Sequence, residues 1–339
     1  MLRTVKHFAL HRIGGTELRV VSEVESGVLP LIEMEEAVIR GYAERGQWPH
    51  RCISLFILDD MQPLVRQILS RADLPPGEAK TIESRPVVNA YDLADLRACH
   101  VFVNREVMGR EGYWGDAGLT KGLLAHEHAH PMAENETTHL SRQLQLQLSP
   151  LANSHPPQLL GVLTGLAEKL CLHAPREVFA NQVTIESGFG DALLQLDRHN
   201  CFNAARGMAG RKELSAQLDT KVRDGRLEPT AAGILLLVGD LRGHLELAME
   251  IVAFYRAGQV QMARQLEAIL ETTIFPQLEP PVSQAYAELS RLYMALHADM
   301  DRARLLEWGA GVLSSLSNAL AERGLTLHYN LMMKEEPHG

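Results

Sequence analysis

The hydrophobic pattern of this chain changes along its length, and that change restricts the folds open to it. In the first 117 residues, short apolar or alternating runs typical of strands occur at 16–24, 52–58 and 100–104. Helix-like segments at 33–46 and 61–72 separate them. After about residue 156, apolar residues recur three and four positions apart, as on amphipathic helices. The sequence therefore predicts an α+β fold with a mixed α/β N-terminal region and a predominantly helical C-terminal region.

The change of pattern also predicts three regions. Residues 1–117 form a mixed α/β region in which 100–104 is expected to be an edge strand, and 73–80, DLPPGEAK, is a loop. Residues 118–200 form a helical region that carries a candidate zinc site, and residues 201–339 form a helical C-terminal region.

Charge and cysteine content exclude several kinds of partner. The chain has a net charge of −9 and no basic run, so we expect no nucleic-acid partner. Its longest strongly apolar run, 231–239, is too short to span a bilayer, and the N-terminus lacks the apolar core of a signal peptide. The four cysteines show no CxxC spacing and predict reduced, mostly buried thiols. We expect a soluble, cytoplasmic protein without a membrane partner.

Residues 124–131, LAHEHAHP, contain the pattern H-E-x-x-H as His126, Glu127 and His130. On an α-helix, residues four apart share a face, so both imidazoles can reach one Zn²⁺ ion. Glu127 is then placed to take a proton from the attacking water and to pass it to a leaving amine. With 15 histidines in the chain, the pattern by itself is only suggestive.

The residues around the motif support a helix that ends early. The segment LTKGLLA is compatible with a helix, and Thr120 is a candidate N-cap. Pro131 disfavours helical backbone at the preceding residue, which predicts that the helix ends at His130. His128 points away from the ligand face, so we expect it on the surface or as support for a ligand.

A catalytic zinc site needs a third protein ligand, and two glutamates compete for that role. Glu136 lies ten residues after His126, the metzincin spacing, but Ala133 stands where that turn normally has glycine. Glu177 lies 47 residues after His130 at the start of a predicted helix, in the pattern E-x-x-A-N with Ala180 and Asn181.

The combination of HEHAH with the later EVFAN resembles the gluzincin metallopeptidases, which join an HExxH helix to a glutamate from a second helix. The E-x-x-A-N piece resembles the third-ligand helix of the peptidases that include repressor- and antitoxin-cleaving bacterial proteases. Only these two short motifs carry the resemblance. It implies a zincin-like fold, zinc bound by His126, His130 and Glu177, and Glu127 as the catalytic base. It favours Glu177 over Glu136.

Weaker candidates surround these residues. An oxyanion could receive a hydrogen bond from a histidine or tyrosine near the ligands, although a polar surface position explains each of them as well. These candidates are Tyr113, His139, His155 and His173. Asn181 or Asp191 could hold the second nitrogen of a ligating histidine.

Two functions from different classes follow. The first is a zinc-dependent hydrolase, a metallopeptidase acting on a peptide or protein substrate. The alternative is a non-catalytic interaction or regulatory protein, in which the metal site is structural or vestigial and the helical C-terminal region binds a protein partner.

Overall fold

The computed structural model describes residues 4–69, 82–149 and 157–334. The chain divides into two compact units. The first consists of Met1–Met132 and Val183–Leu196, and the second of Ala133–Gln182 and Asp197–Gly339. The mixed α/β front and helical back expected from the sequence are confirmed. The loop expected at 73–80 lies outside the described residues, and the three-region division stays a prediction.

The first unit contains a five-stranded sheet whose order is β1-β2-β3-β5-β4. The three inner strands are parallel, and each outer strand is antiparallel to its neighbour. The strands are β1 His7–Ile13, β2 Thr16–Ser22, β3 Cys52–Leu58, β4 Val87–Tyr91 and β5 Ala98–Asn104.

This order corrects one expectation from the sequence. The strand expected at the edge, 100–104, is part of β5 and lies inside the sheet between β3 and β4. The edge strand on that side of the sheet is β4, which was not predicted from the sequence. A strand can precede its antiparallel neighbour in the sequence and still lie outside that neighbour in the sheet. Hydrophobic periodicity does not show which of the two is the edge strand.

Alternation along the three inner strands places one set of side chains on a common, fully buried face. Registered partners point to the same side of a sheet, and Ile53 is paired with both Leu18 and Cys99. The set comprises Leu18, Val20, Ile53, Leu55, Ile57, Cys99, Val101 and Val103. On the opposite face Phe56 and Phe102 stack with their ring centroids 5.1 Å apart.

Among the described residues, this part of the first unit also contains the helices α1 Val28–Glu44, α2 Gln62–Leu69, α3 Arg105–Arg110 and α4 Ala117–Ala129. Helix α1 begins before the predicted 33–46 because Gly27, at φ 79°, turns the chain into it. Its glutamate Glu35 is fully buried and hydrogen-bonded to His128 of α4, so an ionisable residue of each helix lies in the interior.

The second unit is mainly helical. A nearly continuous helical stretch runs from Pro157 to Arg223 as α6 Pro157–Glu168, α7 Ala174–Thr184 and α8 Gly190–Arg223, joined by single π-helical turns. The border between the units crosses α7 after Gln182 and crosses α8 after Leu196. At Gly188 the backbone has φ 83°, where a Cβ atom would lie 2.1 Å from a guanidinium nitrogen of Arg45. The stretch therefore needs glycine at this kink.

The remaining elements of the second unit form helical hairpins and a small sheet. Helix α12 packs against both α10 and α13. The strands β6 and β7 pair antiparallel. The elements are α5 Glu136–Ser141, β6 Leu144–Leu148, α9 Pro229–His244, α10 Leu247–Arg256, α11 Val260–Ile269, α12 Pro280–Met294, α13 Arg302–Ala321 and β7 Tyr329–Met333.

Among the helices within the described ranges, none combines the length and the apolar character needed to cross a bilayer. The four cysteines are free thiols, and three of them are buried while Cys52 is half-buried.

Candidate metal centre

Helix α4 carries the HExxH residues and begins earlier than the sequence suggested. The side chain of Asp116 accepts a hydrogen bond from the Leu119 backbone N–H at 3.0 Å, which makes Asp116 the N-cap. Thr120, the expected cap, lies inside the first turn and donates its hydroxyl to the Tyr113 carbonyl. The prediction of Thr120 was wrong because the glycine-rich segment before it already contains a capping aspartate.

The end of α4 agrees with the sequence. The α-helix ends at Ala129, and a short 3-10 turn, His130–Met132, follows it. His130 keeps helical backbone angles, φ −50° and ψ −53°, although Pro131 follows it. Both imidazoles are therefore separated by one full helical turn, as a shared metal ion requires.

The two candidate histidines lie side by side. The rings of His126 and His130 have centroids 4.8 Å apart and meet edge to face. Each offers a ring nitrogen within 4.8 Å of the other's. His130 is 4% exposed and Glu127 is 6% exposed, while His126 is half-buried. The pair can hold a divalent cation with Glu127 between its ligands in the sequence.

The body of the first unit holds this helix in position. The buried phenol of Tyr42 on α1 donates to the Ala125 carbonyl at 2.8 Å. On the other side, the side-chain amide of Asn89 on the edge strand β4 donates to the Glu127 carbonyl. These bonds join the carbonyls on either side of His126 to α1 and to β4, and so position this part of the helix.

The two candidates for the third ligand both belong to the second unit. Glu177 is half-buried in the first turn of α7, a helix with a π-helical turn at each end. Such turns are rare and occur often at functional sites. Glu136 is exposed in the first turn of α5. Their roles stay predictions.

Contacts inside the second unit hold the helix of Glu177. The guanidinium of Arg256 lies over the ring of Phe179, 5.1 Å from its centroid, and donates to the side chain of Gln182. Both residues are on α7, so this one cation fixes a face of the helix over a full turn.

The weaker candidates occupy varied positions. Asn181 is buried, and Tyr113 is half-buried. His155 lies outside the described residues. The exposed ones are His139, His173 and Asp191.

His128 corrects the expectation of a surface position. Its side chain is 0% exposed, and its Nε2 lies 2.8 Å from Oε1 of Glu35, which is equally buried. It points away from the ligand face as predicted, but that direction leads into the protein interior. Its partner lies 93 positions away in sequence, so no local pattern could have revealed the pair.

Two residues beside His128 were not singled out from the sequence. His50, just before β3, and Cys99, on β5, each place one possible ligand atom within 4.8 Å of one on His128. Nδ1 of His50 is hydrogen-bonded to the Leu96 carbonyl. Burial lowers the pKa of His50 to about 4, and burial raises the pKa of the Cys99 thiol to about 12. The indole of Trp48 contacts both imidazoles.

No protein-family model, curated protein or solved structure matches this chain.

Proposed function

We propose that this protein is a zinc-dependent hydrolase, a zincin-like metallopeptidase, in which His126, His130 and Glu177 bind one zinc ion and Glu127 is the general base. The observation that carries the proposal is the pair of adjacent imidazoles at the end of α4 and in the turn after it, with a buried glutamate between them in sequence.

The donor set suits zinc. Neutral imidazole nitrogens and one carboxylate oxygen are the ligands of catalytic zinc sites, which leave a coordination position open. His126 and His130 supply the imidazoles from one face of a helix that hydrogen bonds fix on both sides. Glu177 would supply the carboxylate from the first turn of α7.

Each residue then has a separate task. Zinc, when bound, polarises water and a substrate carbonyl. The carboxylate of Glu127, largely shielded from solvent, takes the proton from the attacking water and delivers it to the departing amine. Within the described residues, strand β4 has a hydrogen-bonded neighbour on one side only, and Asn89 links this strand to the Glu127 carbonyl. An extended peptide could add to that open edge beside the motif.

Metal analysis of purified variants tests the ligands. We expect His126→Ala and Glu177→Ala each to lose one equivalent of bound zinc relative to the wild type. Glu136→Ala, which removes the competing glutamate, is the matched control and should retain it. Loss of zinc in Glu136→Ala but not in Glu177→Ala would replace Glu177 by Glu136 as the third ligand.

A second variant tests catalysis separately from binding. Glu127→Gln should keep its zinc and lose peptide hydrolysis by about 10²–10⁴-fold, the usual contribution of a general base. Activity is measured on a mixture of unstructured peptides by mass spectrometry. Equal turnover by wild type and Glu127→Gln would refute the role of Glu127. Zinc bound by His126 and His130 with no hydrolysis of any peptide would favour the interaction protein with a structural metal site.

A further inference from the structure

A second group of potential ligands lies inside the first unit. It consists of His50, Cys99 and His128, which come from the segment before β3, from β5 and from α4, and all three are buried. We infer that these residues form a second metal site, buried in the first unit, that binds zinc through two imidazole nitrogens and one thiolate. The inference does not depend on the proposed hydrolase activity.

The hydrogen bonds of the two histidines leave one ring nitrogen of each available for a metal. A carbonyl can only accept, so Nδ1 of His50 donates to Leu96 and its Nε2 carries the lone pair. Nε2 of His128 faces the carboxylate of Glu35, which leaves Nδ1 as the second lone pair. Both of these remaining nitrogens are buried and have no hydrogen-bond partner.

Unsatisfied buried nitrogens are costly, and few occur in folded proteins. His50, Cys99 and His128 each offer one possible ligand atom, and these atoms lie within 4.8 Å of one another. In a tetrahedral zinc site, ligand atoms are about 3.3–3.6 Å apart, as follows from Zn–N and Zn–S bonds of about 2.0–2.3 Å. Binding of zinc would draw the ligand atoms together to these distances.

Glu35 has the position of a supporting carboxylate. Ligating histidines commonly donate their second nitrogen to a carboxylate, which fixes the ring and the tautomer. Glu35 does this for His128 through Oε1, while its Oε2 is buried without a hydrogen-bond partner. A divalent cation would balance the charges of one thiolate and the Glu35 carboxylate, so the filled site would be electrically neutral.

This site is separate from the HExxH pair. His128 lies two residues from both His126 and His130, and residues two apart on a helix project to nearly opposite sides. Thiolate and imidazole donors suit zinc, whereas the HExxH set contains no sulfur. Sulfur ligation therefore distinguishes the two sites in one sample.

Cobalt substitution tests the sulfur ligand. The full chain is expressed in zinc-depleted medium with Co²⁺, so that the buried site is loaded while the protein folds. We expect thiolate-to-cobalt charge-transfer absorption in the near ultraviolet. Cys99→Ser should abolish this absorption, whereas Cys52→Ser, which removes the half-buried thiol of the neighbouring strand, should keep it. Absence of the band in the wild type, or its persistence in Cys99→Ser, overturns the inference.

A second measurement avoids any change to the buried cluster and stays decisive if Cys99→Ser fails to fold. The zinc-loaded His126→Ala variant, whose HExxH site is disabled, is studied by X-ray absorption. We expect about one equivalent of zinc with a sulfur neighbour at about 2.3 Å and nitrogens at about 2.0–2.1 Å. Zinc absent from this variant, or bound without sulfur, overturns the second site. A wild type whose only zinc has a sulfur neighbour instead refutes the HExxH proposal.

Discussion

Gly122 lies close to the backbone at Ala192, so replacing it by alanine has two opposing effects on stability. Gly122 lies one turn before His126 on α4. A Cβ atom added there would lie 2.5 Å from the carbonyl oxygen of Ala192 and 2.9 Å from its carbon, against ordinary contacts of 3.4 Å or more. The neighbour is backbone and cannot rotate away. Gly122→Ala therefore forces α4 outward by roughly 1 Å.

The expected change in the free energy of unfolding is the sum of these two opposing effects. Overpacking of this kind costs about 1–3 kcal/mol. Alanine in place of glycine inside a helix stabilises it by about 0.8–1.0 kcal/mol, which offsets part of that cost. We expect the free energy of unfolding of the first unit to fall by about 0–2 kcal/mol. The displaced helix should also bind zinc more weakly, because His126 moves with it.

The matched control is Gly109→Ala on α3 in the same unit, where an added Cβ meets nothing within 4 Å. This change should leave stability equal or raise it by up to about 1 kcal/mol. Both variants are unfolded with urea and followed by tryptophan fluorescence in a Trp308→Phe background, so that Trp48 and Trp114 report on the first unit. If Gly122→Ala is as stable as Gly109→Ala, the close contact does not restrict this helix.

Three further predictions follow from single contacts. Asp116→Ala should lower the free energy of unfolding by about 1 kcal/mol in urea titrations, while Asp116→Asn should keep the cap and change it little. Burial, reinforced by the charge of Glu250, raises the pKa of Asp197 well above its usual value, so its folded form binds a proton more tightly than the unfolded chain. Stability should therefore fall as pH rises above about 4, and Asp197→Asn should melt at a higher temperature than wild type at pH 8 but not at pH 4. Arg256→Lys should lower the free energy of unfolding in urea by about 1–2 kcal/mol, because the guanidinium donates to three carbonyls at the end of α12. Arg242→Lys, at an exposed position, should leave the free energy of unfolding unchanged.

Much of the first unit's local structure is readable from the chain. The alternating run at 16–24 and the short apolar run at 52–58 overlap β2 and β3, because alternation is typical of a half-buried strand and a short apolar run of a buried one. The end of α4 beside Pro131 was predicted correctly, because proline has no N–H to continue the helix, although His130 keeps helical backbone angles. These features depend on residues close in sequence.

The strands β1 and β4 were missed for a physical reason. Both are edge strands, and their residues are only partly buried, so the apolar alternation that marks a strand is weak in them. Their backbone groups pair with neighbours already in place, and that pairing rather than their own composition makes them strands.

The HExxH motif, its helical spacing and its early helix end were fixed by the sequence alone, because they depend on residues within one or two turns of each other. The surroundings of His128 were decided only by the tertiary structure. Glu35, His50 and Cys99 come from a helix, a loop and a strand far apart in the chain, and only the packing of α1 and α4 beside the sheet brings them together. The burial of a side chain depends on which elements cover it, and the spacing of residues in the sequence does not show which elements these are.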